Sequence, residues 1–101
     1  MSYSYYTINT DVNITIDGLE YYNYFFIDAS NNNITIILPV AYDSAYYQFQ
    51  RIDTEYNNTV TIMANSSNTI NGQNSINMSI KKYTQIIKVD NNWNAPIISI
   101  D

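Results

Sequence analysis

The sequence predicts an all-β chain, an antiparallel β-sandwich of Greek-key or jelly-roll kind. Three observations predict it. Apolar and polar residues alternate with a period of two along most of the 101 residues, which sets successive side chains on opposite faces of a half-buried strand. Ile, Val, Thr, Tyr and Phe dominate these runs, and they are the residues a pleated surface favours. Clusters of Asn, Asp and Gly separate the runs at roughly ten-residue spacing, the rhythm of strand and turn in sandwiches and barrels.

Taken in order, the strands are expected over 5–9, 12–16, 21–28, 34–38, 46–53, 59–63, 76–82, 84–90 and 95–100. Val12, Ile14 and Ile16 share one face of the second. Ile34, Ile36 and Leu38 share one face of the fourth, and Val60 and Ile62 one face of the sixth. Ile76, Met78 and Ile80 line the seventh. In the eighth, Ile87 and Val89 lie opposite Lys88 and Asp90. The turns fall at Asp17-Gly18, Asn31-Asn32-Asn33, Asn57-Asn58, 65–68, Asn71-Gly72 and Asp90-Asn91-Asn92, where these residue types tolerate left-handed backbone. Val40 to Ser44 is expected to hold one short helical turn, and no segment shows a helical period. A short echo recurs as Asn13-Ile14-Thr15-Ile16, Asn33-Ile34-Thr35-Ile36 and Asn58-Thr59-Val60-Thr61-Ile62. Its intervals are unequal, so it reads as a by-product of period two and not as a solenoid repeat.

The segment Tyr21 to Ile27 departs from alternation, because both of its faces are apolar or aromatic. A central strand covered on both sides explains it. So does a strand with one face on a neighbouring subunit, since aromatics are enriched in interface cores.

Composition narrows the function. A length of 101 residues fits one domain, 1–101, against about 100–200 residues per domain. Cys and His are absent, which removes disulfides, thiolate nucleophiles, Cys/His metal sites and the Ser-His-Asp triad. The two glycines, Gly18 and Gly72, are too far apart for a phosphate-cradling loop. The net charge is −5 and the basic residues are Arg51, Lys81, Lys82 and Lys88. Neutralising phosphates needs clustered Lys and Arg, so no nucleic-acid partner is expected. No apolar run approaches the ~18 residues of a membrane span, and the first ten residues do not read as a signal peptide.

No enzymatic site emerges and no cofactor is expected. Asp53 and Glu55 are paired acids, but beside Asn57 they read as solvated turn acids rather than as glycosidase carboxylates. Asp90-Asn91-Asn92 lacks the spaced acids of a calcium loop and reads as a hairpin turn. The Asn-x-Ser/Thr triplets at Asn13, Asn33, Asn57, Asn65 and Asn77 follow from composition. Tyrosine is in excess at 11 residues. A Tyr ring has an apolar face and a polar tip, suited to strands, interfaces and sugar stacking alike. Trp93 reads as packing at the last hairpin.

From Ile34 onward the chain resembles the small β-rich tip or head domains of phage tail fibres and of fibre-like proteins from virophages and large DNA viruses. The matching elements are Ile34-Thr35-Ile36-Ile37-Leu38-Pro39, Tyr47-Gln48-Phe49-Gln50-Arg51-Ile52-Asp53 and Asn58-Thr59-Val60-Thr61-Ile62. They continue with Thr69-Ile70-Asn71-Gly72 and with Ile86-Ile87-Lys88-Val89-Asp90 through Asn92-Trp93. Ser44 and Asn91 stand where that family often has Gly. The first 30 residues carry none of the resemblance, and no family site transfers by motif.

The resemblance implies a virion-surface fibre head that attaches to a host glycan or protein receptor, usually as a homotrimer. A fibre-clamping role without a receptor and a free-standing carbohydrate-binding module are the alternatives. The expected trimer interface is Tyr22, Tyr24 and Phe26. The expected receptor contacts are Tyr42 and Tyr46 beside one short loop, with Asn68 and Asn71 in the uncharged stretch 65–75, because amides and hydroxyls meet sugar hydroxyls without the desolvation cost of a charge.

Overall fold

A computed structural model describes residues 4–40 and 43–100. The all-β expectation holds: among the described residues eleven strands form two sheets and there is no helix. The expected helical turn at Val40–Ser44 falls partly on residues 41 and 42, which lie outside the described residues. The antiparallel sandwich is corrected. The first six strands pair in parallel, as three stacked coils that each give one strand to each sheet.

The coils read β1 (Tyr5–Ile8) with β2 (Val12–Asn13), β3 (Tyr24–Ile27) with β4 (Ile34–Ile37), and β5 (Tyr46–Arg51) with β6 (Val60–Met63). β1, β3 and β5 run parallel in the larger sheet, with Tyr5 beside Tyr24 and Tyr24 beside Gln48. β2, β4 and β6 run parallel in the smaller one, with Val12 beside Ile36 and Ile34 beside Val60. This is the layout of a short β-solenoid. Period two could not reveal it, because alternation is the same for parallel and antiparallel neighbours. What sets the direction is the corners, which carry the chain across to the other sheet instead of back beside the strand just made.

The remaining strands close one end. β8 (Ser75–Asn77) lies antiparallel on β6, and β9 (Lys82–Val89) antiparallel on β5. β10 (Asn92–Asn94) and β11 (Ile97–Ser99) both fold back on β9, and β7 (Thr69–Ile70) runs parallel to β10. At the other end β1 is an edge. The Asp28 N–H donates to the Ile8 carbonyl at 2.8 Å, so the main-chain groups of Ile8 and Tyr6 face β3. Those of Tyr5 and Thr7 face outward, since successive residues alternate in direction.

The expected strand 12–16 stops at Asn13. Asn13 Oδ1 accepts from the Thr15 and Ile16 N–H groups, and Asp17 Oδ2 accepts from the Asn13 N–H at 2.8 Å. These local bonds offer the backbone an alternative to the ladder. They also seal the outer edge of β2, a protection that edge strands need.

The core lies between the sheets. Phe25 stacks on Phe49 at 5.1 Å, and Tyr47 tilts against Trp93 at 5.8 Å. Ile8, Ile27, Ile34, Ile36, Ile62 and Ile86 are buried among them. Each such side chain contributes about 1.5–3 kcal/mol by leaving water.

The corners stack as the strands do. Thr35 N–H donates to Asp11 Oδ1 at 2.7 Å, and Thr59 N–H to Asn33 Oδ1 at 2.8 Å. Asn58 Nδ2 donates to the Ala29 carbonyl at 2.6 Å. Asp53 is no solvated turn acid: it is buried, pairs with Arg51 and accepts from the Ala29 N–H. β9 corrects a further expectation. Thr84, Ile86 and Lys88 face inward, while Ile87 and Val89 are exposed. Lys88 keeps its ammonium satisfied at the rim, on the Asp90 carbonyl and 3.7 Å from Asp43.

Candidate functional site

A cleft of about 360 Å³ opens between the segment after β2 and the connection from β4 to β5. One wall carries Thr15, Glu20, Tyr21 and Asn23. The other carries Pro39, Val40, Ala45, Tyr46 and Tyr47. The Asn13–Asp17 turn builds the first wall by ending β2 early, and Gly18 takes φ 71°, the left-handed conformation that glycine adopts without strain. The chain then doubles back so that the Tyr22 N–H reaches the Leu19 carbonyl at 3.1 Å. Leu19 is buried and anchors the wall, leaving Glu20 and Tyr21 at the cleft.

The two walls are tied. Asn23 Nδ2 donates to the Tyr46 carbonyl at 2.8 Å. Tyr46 starts β5 and is half-buried. Burial first, and the neighbouring Tyr24 second, hold its phenol above the ordinary value, so it stays a neutral hydrogen-bonding group at physiological pH. Tyr21 is 83% exposed, a large ring left in solvent at the mouth. Glu20 Oε2 is buried and makes no hydrogen bond among the described residues. A buried acceptor without a donor costs about 1–3 kcal/mol, more when charged. The cleft therefore combines an exposed aromatic ring, a neutral phenol, an amide, a hydroxyl and one acidic side chain. Among the described residues no basic side chain lines it.

Of the residues expected from sequence, Tyr46 lies in this cleft. Tyr42 lies outside the described residues. Asn68 and Asn71 line no part of the cleft. Asn68 is buried, with its N–H on the Asn65 carbonyl. Asn71 and Gly72 both have positive φ, and the Ile70 and Gln73 main chains exchange two hydrogen bonds around them, a two-residue hairpin turn of the primed type. The Asn71 side chain donates to the Ala95 carbonyl at 2.9 Å and accepts from the Ala95 N–H at 2.8 Å. It clips β7 to the segment after β10.

Tyr22, Tyr24 and Phe26 do not share one face. Tyr24 and Phe26 point outward from the larger sheet and are half-buried there, with Tyr5 edge-on to Phe26 at 5.6 Å. Tyr22 precedes the strand and packs on the core side against Tyr6 and Phe25. Sequence reasoning missed Thr15, Glu20, Tyr21 and Asn23 as site residues. The available signal was Glu20-Tyr21 directly after the Asp17-Gly18 turn, which reading 21–28 as one unbroken strand obscured.

Among the described residues no group of three or more Asp or Glu side chains is placed to hold a metal. No protein-family model matches the sequence, and no curated protein is significantly similar to it.

Proposed function

We propose that the chain is a non-enzymatic attachment module, the head of a virion-surface fibre, which holds a host-surface glycan in the cleft of Tyr21 and Tyr46. The observation that carries the reading is that cleft. Pyranose rings present apolar C–H faces and polar edges, and the cleft offers an exposed ring beside uncharged donors and acceptors. The resemblance of residues 34–93 to fibre heads supports the setting. Assembly in threes, which that resemblance implies, would let weak single sites act together, and linked sites raise avidity about 10²–10⁴-fold.

A glycan array probed with the wild type and with Tyr21→Ala tests the reading. Tyr21 is solvent-exposed, so its replacement leaves the fold intact. Binding to a defined set of glycans, weakened about ten-fold by the substitution, is the expected result. A wild type that binds no glycan, or a variant that binds the same set equally well, sinks the assignment.

One observation favours the structural alternative of a fibre clamp. β8 and β9 close one end of the coil stack, while β1 keeps outward main-chain groups at the other, as the terminal cap of a longer stack would. The sealed edge of β2 counts against it, because a further coil would need both sheets open.

A further inference from the structure

β9 presents its apolar residues to solvent. Lys88 is held inside, while Ile87 and Val89 beside it are 40% and 50% exposed. Ile98, which pairs with Tyr83, and Ile100, which lines a shallow groove with Tyr83 and Gln85, are exposed on the same side. We infer that this outer face of the larger sheet is covered by the same face of a second copy of the chain. Tyr24 and Phe26 of β3 flank it on one side, and Gln48 and Gln50 of β5 lie at its centre. Register joins them: Tyr24 lies beside Gln48 and Gln48 beside Gln85, with Gln85 Nε2 donating to Gln48 Oε1 at 3.3 Å.

Charge, size and symmetry fit a second copy. Among the described residues, the charged members of this sheet's strands are Arg51, Lys82 and Lys88. All three alternate in step with the buried Phe49 and Thr84, away from the outer face. Two copies of net charge −5 can therefore meet here without setting like charges together, and a charged partner finds no counter-charge. The sheet is six strands wide and β9 is eight residues long, a face of about 24 by 26 Å at ordinary strand spacing and rise. Its roughly 600 Å² in projection is near the ~600–800 Å² per partner of ordinary interfaces. A two-fold interface uses one patch twice. With the axis along the boundary of β5 and β9, the aromatic flank of Tyr24 and Phe26 in each copy lies over the aliphatic flank of Ile98 and Ile100 in the other. The glutamine amides then pair across the centre. Sheets meeting face to face close as a pair, whereas the fibre resemblance implies threes, so the mass separates the two.

Sedimentation equilibrium across a micromolar dilution series, for the wild type, Gln85→Glu and Ile87→Thr, tests the pairing. Both side chains are exposed, so the substitutions leave the fold intact, which circular dichroism checks. Methyl signals of Ile87, Val89 and Ile98, read against a soluble paramagnetic agent, locate the contact. The expected wild type has twice the mass of the chain, with these methyls shielded. Gln85→Glu is expected to weaken pairing at least about 100-fold, because like charges brought together in an interface cost several kcal/mol, and Ile87→Thr to weaken it about ten-fold. Tyr21→Ala, at the cleft, leaves the mass unchanged. A wild-type monomer with exposed methyls overturns the inference and leaves the glycan reading untouched. So does a dimer whose methyls stay exposed or that survives Gln85→Glu, because its contact lies elsewhere. A mass of three copies overturns the two-fold pairing.

Discussion

The Arg51 guanidinium lies 3.1 Å from the Asp53 carboxylate, and both side chains are only 2% exposed. The pair sits at the end of β5, where the third corner leaves the larger sheet. Arg51 Nη1 donates to the Met78 carbonyl, and Nη2 to the carbonyls of Glu55 and Asn58, each at 2.8 Å. Asp53 accepts from the N–H groups of Ala29 and Glu55. One ion pair thus joins the second corner, the third corner and Met78, which directly follows β8.

Breaking that pair should be costly. Asp53→Asn removes the counter-charge and leaves a buried guanidinium, and the expected loss is about 3–5 kcal/mol. Urea unfolding followed by circular dichroism measures it. A loss below ~1 kcal/mol would show that the network does not hold the corners.

The same pair predicts an acid limit. Burial alone would raise the Asp53 pKa. The Arg51 guanidinium and the two amide donors outweigh it and hold the carboxyl below its ordinary value. The folded pKa is therefore lower than the unfolded one, near 3.9. The stabilisation is present above that unfolded value and is lost as pH falls through the folded one. Thermal unfolding should show the wild-type midpoint falling below about pH 4, with a shallower fall for Asp53→Asn. Parallel curves would assign the acid limit to other carboxylates.

The edge at β1 predicts an asymmetry between neighbours. Thr7 turns its N–H outward, so Thr7→Pro removes no ladder bond, and proline is tolerated on such an edge. Ile8 turns its N–H toward β3 and its side chain into the core. Ile8→Pro should cost at least the ~2–5 kcal/mol of truncating a buried aliphatic side chain. Amide exchange reads the same contrast without substitution: Thr7 exchanges fast and Ile8 slowly. The reverse order would contradict the parallel register of β1 and β3.

Asn71 separates backbone from side chain. Asn71→Gly keeps the left-handed turn but loses the clip on Ala95, whereas Asn71→Ala loses both. Thermal stability should rank wild type above Gly and Gly above Ala. The Gly step should be about 1–3 kcal/mol, the cost of orphaned polar groups. Equal stabilities for Asn71→Gly and wild type would mean that the clip contributes nothing.

The faces of β4 and β6 were legible from alternation alone, because a half-buried strand must alternate. Direction was not. Ile34-Thr35-Ile36 does lie beside Val60-Thr61-Ile62, so the second and third copies of the echo are neighbouring coils. The first copy is out of register, since Val12 sits beside Ile36. Coil-to-coil offsets of 19 and 24 residues in one sheet, and 24 and 26 in the other, hid the repeat. In β9 the pattern pointed the wrong way, because a lysine with rim partners at its tip can lay its apolar stem inward. Of the cleft, Tyr46 was visible as one tyrosine among many. Glu20 was not, because an acid just after a turn carries no mark in the sequence of its half-burial in a cleft wall.

A sugar held between Tyr21 and Tyr46 would perturb the residues that line their cleft. Titration of the isotope-labelled protein with lactose, followed by amide and aromatic chemical shifts, tests it most directly. The expected result is saturable shifts concentrated at Thr15, Glu20, Tyr21, Asn23 and Tyr46, absent in Tyr21→Ala. Shifts centred on residues 65–75, or none with any neutral disaccharide at millimolar concentration, would contradict it.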